Sequence, residues 1–259
     1  MIAETATNQA QLVEVFSAIQ GEGLNVGSRQ IFIRFAICDL RCRFCDSTPT
    51  WHAHKTCQIE RSPGLRNFET HANPVPLTTL QNWIERQNYP GLHDSISLTG
   101  GEPLLQAPFL REFLPQVRQY TGLPIYLETG GHRPDELSIV LPYLNTVGMD
   151  LKLPSVSGEI LWNLHAEFLR RCYDAGTEVF CKLIISSQTD LAELEQAAQL
   201  VAAVGPEIPV FLQPVTPLHP AGPIFAPTPA QVLTWQALMK RFLKSVRVVP
   251  QTHKAIGQL

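Results

Sequence analysis

The chain has 259 residues, 44% of them apolar and 17% charged, and a formal net charge of −3, values that describe a globular protein and exclude a disordered or fibrous one. No Lys/Arg cluster forms the basic stripe needed to grip phosphate backbones, so nucleic acid is not expected as a partner. No apolar run reaches the ~18 residues of a membrane span, and residues 1–11 show no targeting pattern, so a cytoplasmic protein is expected. In that compartment its six cysteines suit metal ligation or burial better than disulfides.

In chain order, Phe16-Ser17-Ala18-Ile19-Gln20-Gly21-Glu22-Gly23 reads first as a bent loop presenting a carboxylate and an amide; a plain hairpin turn would look the same. A strand is expected at Gln30–Ile37. It runs into Cys38-x3-Cys42-x2-Cys45, with Phe44 just before the last cysteine. Three thiolates on one loop can each bind one iron of a cubane [4Fe–4S] cluster, and since such clusters usually take four cysteines, one iron is left for a non-protein ligand. A structural zinc site completed by His52 or His54 would use the same cysteines. Cys57, Cys172 and Cys181 share no ligand spacing and read as core residues. Residues 49–76 carry histidines and prolines with little periodicity, and read as a long excursion after the cysteine loop.

Beyond it, helices are expected at Leu77–Asn88, Pro108–Tyr120, Pro134–Leu141, Glu159–Ala175, Asp190–Val204 and Pro229–Lys244. Strands are expected between them at Ser95–Thr99, Pro124–Glu128, Thr146–Asp150, Glu178–Ile185, Val210–Pro214 and Val246–Val249. This alternation implies parallel βαβ units in an α/β fold, and about six of them suggest a partial (β/α)6-type parallel barrel over a single domain, 1–259. Ligands of such folds gather at the carboxyl ends of the strands. Thr99-Gly100-Gly101-Glu102-Pro103 stands at one such end, as a tight turn or as a place where backbone amides donate to a ligand. Glu128, Asp150-Leu151-Lys152 and Gln213-Pro214-Val215-Thr216 end three further strands. Gln251-Thr252-His253-Lys254 lies close to the terminal carboxylate of Leu259.

The cysteine spacing and Gly100-Gly101-Glu102-Pro103 resemble the signature of the radical S-adenosylmethionine (SAM) superfamily. With Ser17, Gln20-Gly21-Glu22-Gly23, Arg34, Cys45-Asp46-Ser47 and Pro250-Gln251-Thr252-His253-Lys254 added, the pattern closely resembles the 7-carboxy-7-deazaguanine synthase family, most weakly across 49–76. Ser47 stands where many relatives carry threonine, and Asp150-Leu151-Lys152 where some carry Ser-Pro-Lys.

The resemblance implies a carbon–nitrogen lyase. It would contract the ring of 6-carboxy-5,6,7,8-tetrahydropterin to 7-carboxy-7-deazaguanine with loss of ammonia, toward queuosine-type 7-deazapurines. It further implies a [4Fe–4S] cluster on Cys38, Cys42 and Cys45, SAM on its open iron, Mg²⁺ at Ser47, an external flavodoxin- or ferredoxin-like electron donor and a homodimer. No catalytic residue is implied beyond the cofactor chemistry. By the same analogy Phe44, Cys45, Asp46, Gly101, Glu128, Asp150, Leu151, Lys152, Gln213, Pro214, Val215 and Thr216 surround SAM, with Glu128 toward its ribose. Ile19, Gln20, Gly21, Glu22, Arg34, Thr99, His253 and Leu259 would contact the pterin. The pterin's adjacent N–H and amino group form a donor pair that one carboxylate, of Glu22 or of Leu259, can accept. Arg34, Mg²⁺ and His253 are the cationic candidates for its carboxylate. The rival readings are a glycyl-radical-enzyme activase, which would not need the Gln-Gly-Glu-Gly loop, and a non-catalytic iron–sulfur or zinc module.

Overall fold

The computed structural model describes residues 8–217 and 224–258. Its strands are β1 (Gln9–Ala10), β2 (Leu12–Ile19), β3 (Arg29–Phe35), β4 (Thr56–Glu60), β5 (Phe68–Ala72), β6 (Val75–Pro76), β7 (Ser95–Gly100), β8 (Ile125–Thr129), β9 (Thr146–Asp150), β10 (Glu178–Ile185), β11 (Val210–Pro214) and β12 (Val246–Val248). Its helices are α1 (Leu77–Gln87), α2 (Ala107–Thr121), α3 (Pro134–Val140), α4 (Pro154–Ser157), α5 (Trp162–Asp174), α6 (Leu191–Val204), α7 (Pro229–Met239) and α8 (Thr252–Ala255).

β3 shows why the chain curls around one end of the sheet. Ile31, Ile33 and Phe35 are fully buried against the helices, whereas Phe32 and Arg34 point the other way, into the concave side. The same division recurs along β7 to β11. Ile96, Leu98, Leu127, Val147, Met149, Leu183 and Leu212 join Leu80, Ile84, Phe113, Leu137, Phe168, Leu194 and Val201 of the helices in one apolar core. On the inner side, Tyr126, Phe180 and Phe211 form a separate aromatic floor, and polar residues lie above it. Burying apolar side chains at ~25 cal/mol per Å² drives this two-sided arrangement.

One ten-stranded sheet results, in the order β12-β11-β10-β9-β8-β7-β3-β2-β4-β5. Every pairing from β3 through β7 to β12 is parallel, the partial barrel expected. Two helix starts, those of α6 and α7, carry side-chain caps. Asp190 accepts from the Ala192 amide at 2.8 Å, and Thr228 and Gln231 form a reciprocal capping box before Pro229.

Three expectations are corrected. Phe16 to Ile19 do not form a loop but finish β2, which runs antiparallel to β3. β2 lacks a clean alternation because both of its faces are covered. The 49–76 excursion is likewise not one long loop: β4 and β5 form a hairpin that continues the sheet beyond β2. Glu60, fully buried, fastens that hairpin by accepting from the amides of Ser17 at 2.9 Å and Arg66 at 2.7 Å. The last long helix also stops at Met239, five residues short of its expected end at Lys244. Among the described residues no helix is long and apolar enough to cross a membrane.

Candidate active site

The concave side opens at the carboxyl ends of the parallel strands into a cavity of about 500 Å³, within the ~300–1,000 Å³ typical of small-molecule sites. Three segments far apart in sequence close it: the cysteine loop, the Gln20–Gly23 loop and the C-terminal segment around α8. Cys38, Cys42, Phe44, Cys45, Asp46 and Ser47 line it from the first. Ile19, Gln20, Gly21 and Glu22 line it from the second, and His253 from the third. Arg34, Thr99, Gly101, Glu128, Asp150 and Lys152 contribute from the strand ends. Gln213, Val215 and Thr216 line a smaller adjoining lobe that shares Glu22, Phe44, Asp46 and Asp150. Leu151 lies elsewhere, since its side chain is 1% exposed within the apolar core. Pro214 lines neither lobe, and Leu259 is outside the described residues.

The cysteine loop is held from several sides. The Cys45 amide donates to the Cys42 carbonyl at 3.1 Å, the Arg43 amide to Ser157 at 3.1 Å, and the Arg41 amide to the Glu159 carboxylate at 2.8 Å. Asp39 accepts from Arg133 at 2.8 Å and sits 2.9 Å from His132 Nε2. From below, the Gly-Gly-Glu-Pro turn meets the loop's first residues. Gly101 has no room for a side chain, because a Cβ there would fall 2.2 Å from the Ile37 carbonyl oxygen. The Gly101 amide donates to Phe35 and the Glu102 amide to Ile37, both at 2.9 Å. These two amides therefore bond the backbone at the end of β3, just ahead of the cysteine loop, so the Gly101 amide is not free to donate to a ligand. Glu102, 1% exposed, ties the turn to β8 by accepting from Thr129 Oγ1 at 2.8 Å and the Gly130 amide at 2.9 Å.

Burial pushes the Cys38 thiol up to about 11, helped by the carboxylates of Glu102 and Asp39, and pushes Cys42 up as well. Such thiols ionise when iron binds them. Neither His52 nor His54 lines the cavity, and His54 Nε2 lies 2.5 Å from the Pro49 carbonyl. Among the described residues no three His, Cys, Asp or Glu side chains converge on a single ion. A closed zinc site needs such convergence; three thiolates serving three irons of a cube do not. The donor set therefore fits the cluster better than zinc. Gln213 Oε1 is buried without a hydrogen-bond partner, an acceptor of the kind a bound polar cofactor satisfies.

A charged cluster occupies the centre. Lys152 pairs with Asp150 at 2.7 Å and stands over the Phe44 ring, 5.1 Å from its centroid. Lys182 contacts Glu22, and lies 3.3 Å from Glu128 and 3.5 Å from Asp150. Burial raises the Glu22 carboxyl, but the Lys182 charge and the hydrogen bonds from Lys182 and Gln251 together outweigh it and hold the group below its ordinary range. For Glu128 burial prevails and its pKa is raised. Thr99 Oγ1 donates to Glu128 at 3.2 Å, and Arg34 gives its Nε to Glu14 at 2.7 Å.

The C-terminal segment is docked, not frayed. Thr252 donates its amide to the Gly21 carbonyl at 3.0 Å. A Cβ on Gly21 would collide with His253. Gln251 bridges Glu22 at 2.8 Å and Asp46 at 3.0 Å, and Lys254 pairs with Asp46 at 2.8 Å. Burial raises the Asp46 carboxyl, yet the bonds from Lys254 and Gln251 bring it down to about 2. Its other oxygen is 3.1 Å from the Ser47 hydroxyl.

Sequence reasoning missed Lys182 and Glu14. A lone lysine within an otherwise apolar strand was the available signal for the first. Glu14 carried none, because β2 itself was not recognised.

Residues 32–200 match the family model of the radical SAM superfamily. A radical SAM methyltransferase from Sphaerobacter thermophilus superposes with a TM-score of 0.61 at 13% identity, covering 92% of this chain and 77% of that one. QueE from Escherichia coli superposes with a TM-score of 0.60 at 21% identity, covering 94% of each chain. Identities this low speak to the fold alone. Fold, cysteine loop and family model together define a radical SAM protein. A 7-carboxy-7-deazaguanine synthase from Geobacter sulfurreducens is 43% identical over 254 residues, 96% of this chain and 98% of that one. Within the superfamily, the chain belongs to the 7-carboxy-7-deazaguanine synthase family.

Proposed function

We propose that this chain is the lyase that converts 6-carboxy-5,6,7,8-tetrahydropterin to 7-carboxy-7-deazaguanine with loss of ammonia, in 7-deazapurine biosynthesis of the queuosine type. The observation that carries the reading is the meeting of the cysteine loop, the Gln20–Gly23 loop and the docked C-terminal segment around one cavity. When bound, the cluster on Cys38, Cys42 and Cys45 together with SAM supplies a 5′-deoxyadenosyl radical able to take hydrogen from the pterin.

The chain's own residues bind and orient. Glu22, held as an anion, accepts from the pterin's N–H and amino group. Arg34 faces the substrate carboxylate. Ser47, beside Asp46, would offer Mg²⁺ a hard hydroxyl oxygen of the kind that ion prefers. Glu128 accepts from the SAM ribose, Gln213 supplies an acceptor in the adjoining lobe, and Phe44 lies along the cofactor. An external flavodoxin- or ferredoxin-like donor, a cytoplasmic setting, one domain and a homodimer complete the reading, supported by family analogy.

Anaerobically reconstituted protein, reduced and given SAM, Mg²⁺ and the pterin, is expected to form 7-carboxy-7-deazaguanine and 5′-deoxyadenosine, followed by chromatography and mass. SAM cleavage with no deazaguanine product overturns the reading in favour of another radical SAM activity.

A further inference from the structure

Lys182 belongs to no motif, yet it stands at the centre of the cavity's charge. It is 8% exposed on β10, and its neighbours in that strand are apolar and buried. Its three carboxylate partners come from separate elements: Glu22 from the loop after β2, Glu128 from the end of β8, and Asp150 from the end of β9. Three partly buried carboxylates this close together disfavour one another's ionised forms unless a cation lies among them. Their dependence on Lys182 is unequal. Asp150 has a second ammonium, Lys152, at 2.7 Å, and Glu128 receives Thr99 Oγ1. Among the described residues, Lys182 is the one cation paired with Glu22, whose other side-chain partner is the neutral Gln251 amide.

The geometry points to Lys182 as a positioning residue for the pterin: it fixes the Glu22 carboxylate, as an anion, where it accepts the ring's adjacent N–H and amino group. This rests on the proposed pterin turnover. The action is indirect, because an ammonium carries donors only and cannot itself accept from that pair. Without the lysine charge, Glu22 faces burial and the Asp150 and Glu128 carboxylates, with Gln251, His253 and Asp46 on its tail side. The first two influences favour its protonated form, which turns an O–H toward a donor pair.

The test is equilibrium dialysis of the anaerobic holoenzyme against 6-carboxypterin and, separately, SAM. Lys182→Met is expected to raise the pterin Kd roughly tenfold or more while leaving the SAM Kd within about threefold and the iron content unchanged. Its pterin affinity should weaken as the pH falls from about 8 to about 6, where the wild type stays flat. Glu22→Gln should lose a comparable factor, and Lys182→Met in that background should add less than about twofold. If Lys182→Met does not retain iron, Lys182→Gln is read in the same way. An unchanged pterin Kd, an equal loss of SAM affinity, or additive losses in the double variant each overturn the positioning role. A wild type that neither binds nor turns over the pterin overturns the functional reading as well. An active wild type with an unaffected lysine variant overturns this inference alone.

Discussion

Cys42 shows how much chemistry rests on single atoms here. Its thiol is buried beside Lys152, and its carbonyl receives the Cys45 amide. The residue therefore shapes the loop as well as offering a ligand. Cys42→Ala keeps the backbone acceptor and removes only the sulfur. Two thiolates hold a cubane poorly, so iron per chain and 5′-deoxyadenosine formation should both fall to background after anaerobic reconstitution. Normal yield of either would contradict a cluster held by this loop. Gly101 illustrates the complementary case, a residue chosen for the space it leaves against Ile37.

At the scale of elements, the short helix α8 and its flanks are fastened by exposed or half-exposed polar bonds. Each such bond contributes about 0–1 kcal/mol. The anchor is consequently weak enough to release with one change. Asp46→Asn removes the ion pair with Lys254 and weakens the bond from Gln251. Tryptic cleavage after Lys254 should then run about fivefold faster for each kcal/mol lost, with the pterin KM rising in parallel. Mass spectrometry reads the loss of 255–259, and an unaltered cleavage rate would show that Asp46 does not anchor the segment.

At the scale of the whole molecule, two buried histidines link stability to pH. His165, fully buried, donates from Nε2 to the Gly130 carbonyl at 3.1 Å, and burial pushes its pKa down to about 3. Burial also lowers His93 to about 4. In the unfolded chain both titrate near 6.5. As the pH falls below that value the unfolded state gains protons that the native state refuses. Stability is therefore full above about pH 6.5 and declines toward pH 4, by up to about 1.4 kcal/mol per pH unit for each histidine. Melting temperatures between pH 7.5 and 5 should fall, and His165→Asn should make the fall shallower; an identical slope in the variant would remove His165 from the linkage.

The sequence by itself determined what covalent neighbours can decide. The cysteine spacing, the Gln-Gly-Glu-Gly and Gln-Thr-His-Lys segments and the apolar spans of β7 to β11 are local properties, and they were legible as such. β2 and the β4–β5 hairpin were not, because their faces are buried by partners distant in the chain and their patterns lack a clean period. The turn at Gly100 and Gly101 was recognised, but whether its amides meet a ligand or the backbone of β3 depends on which segment lies above it. Lys182 acquires meaning only when three strand and loop ends bring Glu22, Glu128 and Asp150 within reach of one ammonium. Tertiary structure decided these matters because contact, burial and the local field are set by convergence in space, and a residue's identity carries none of that alone.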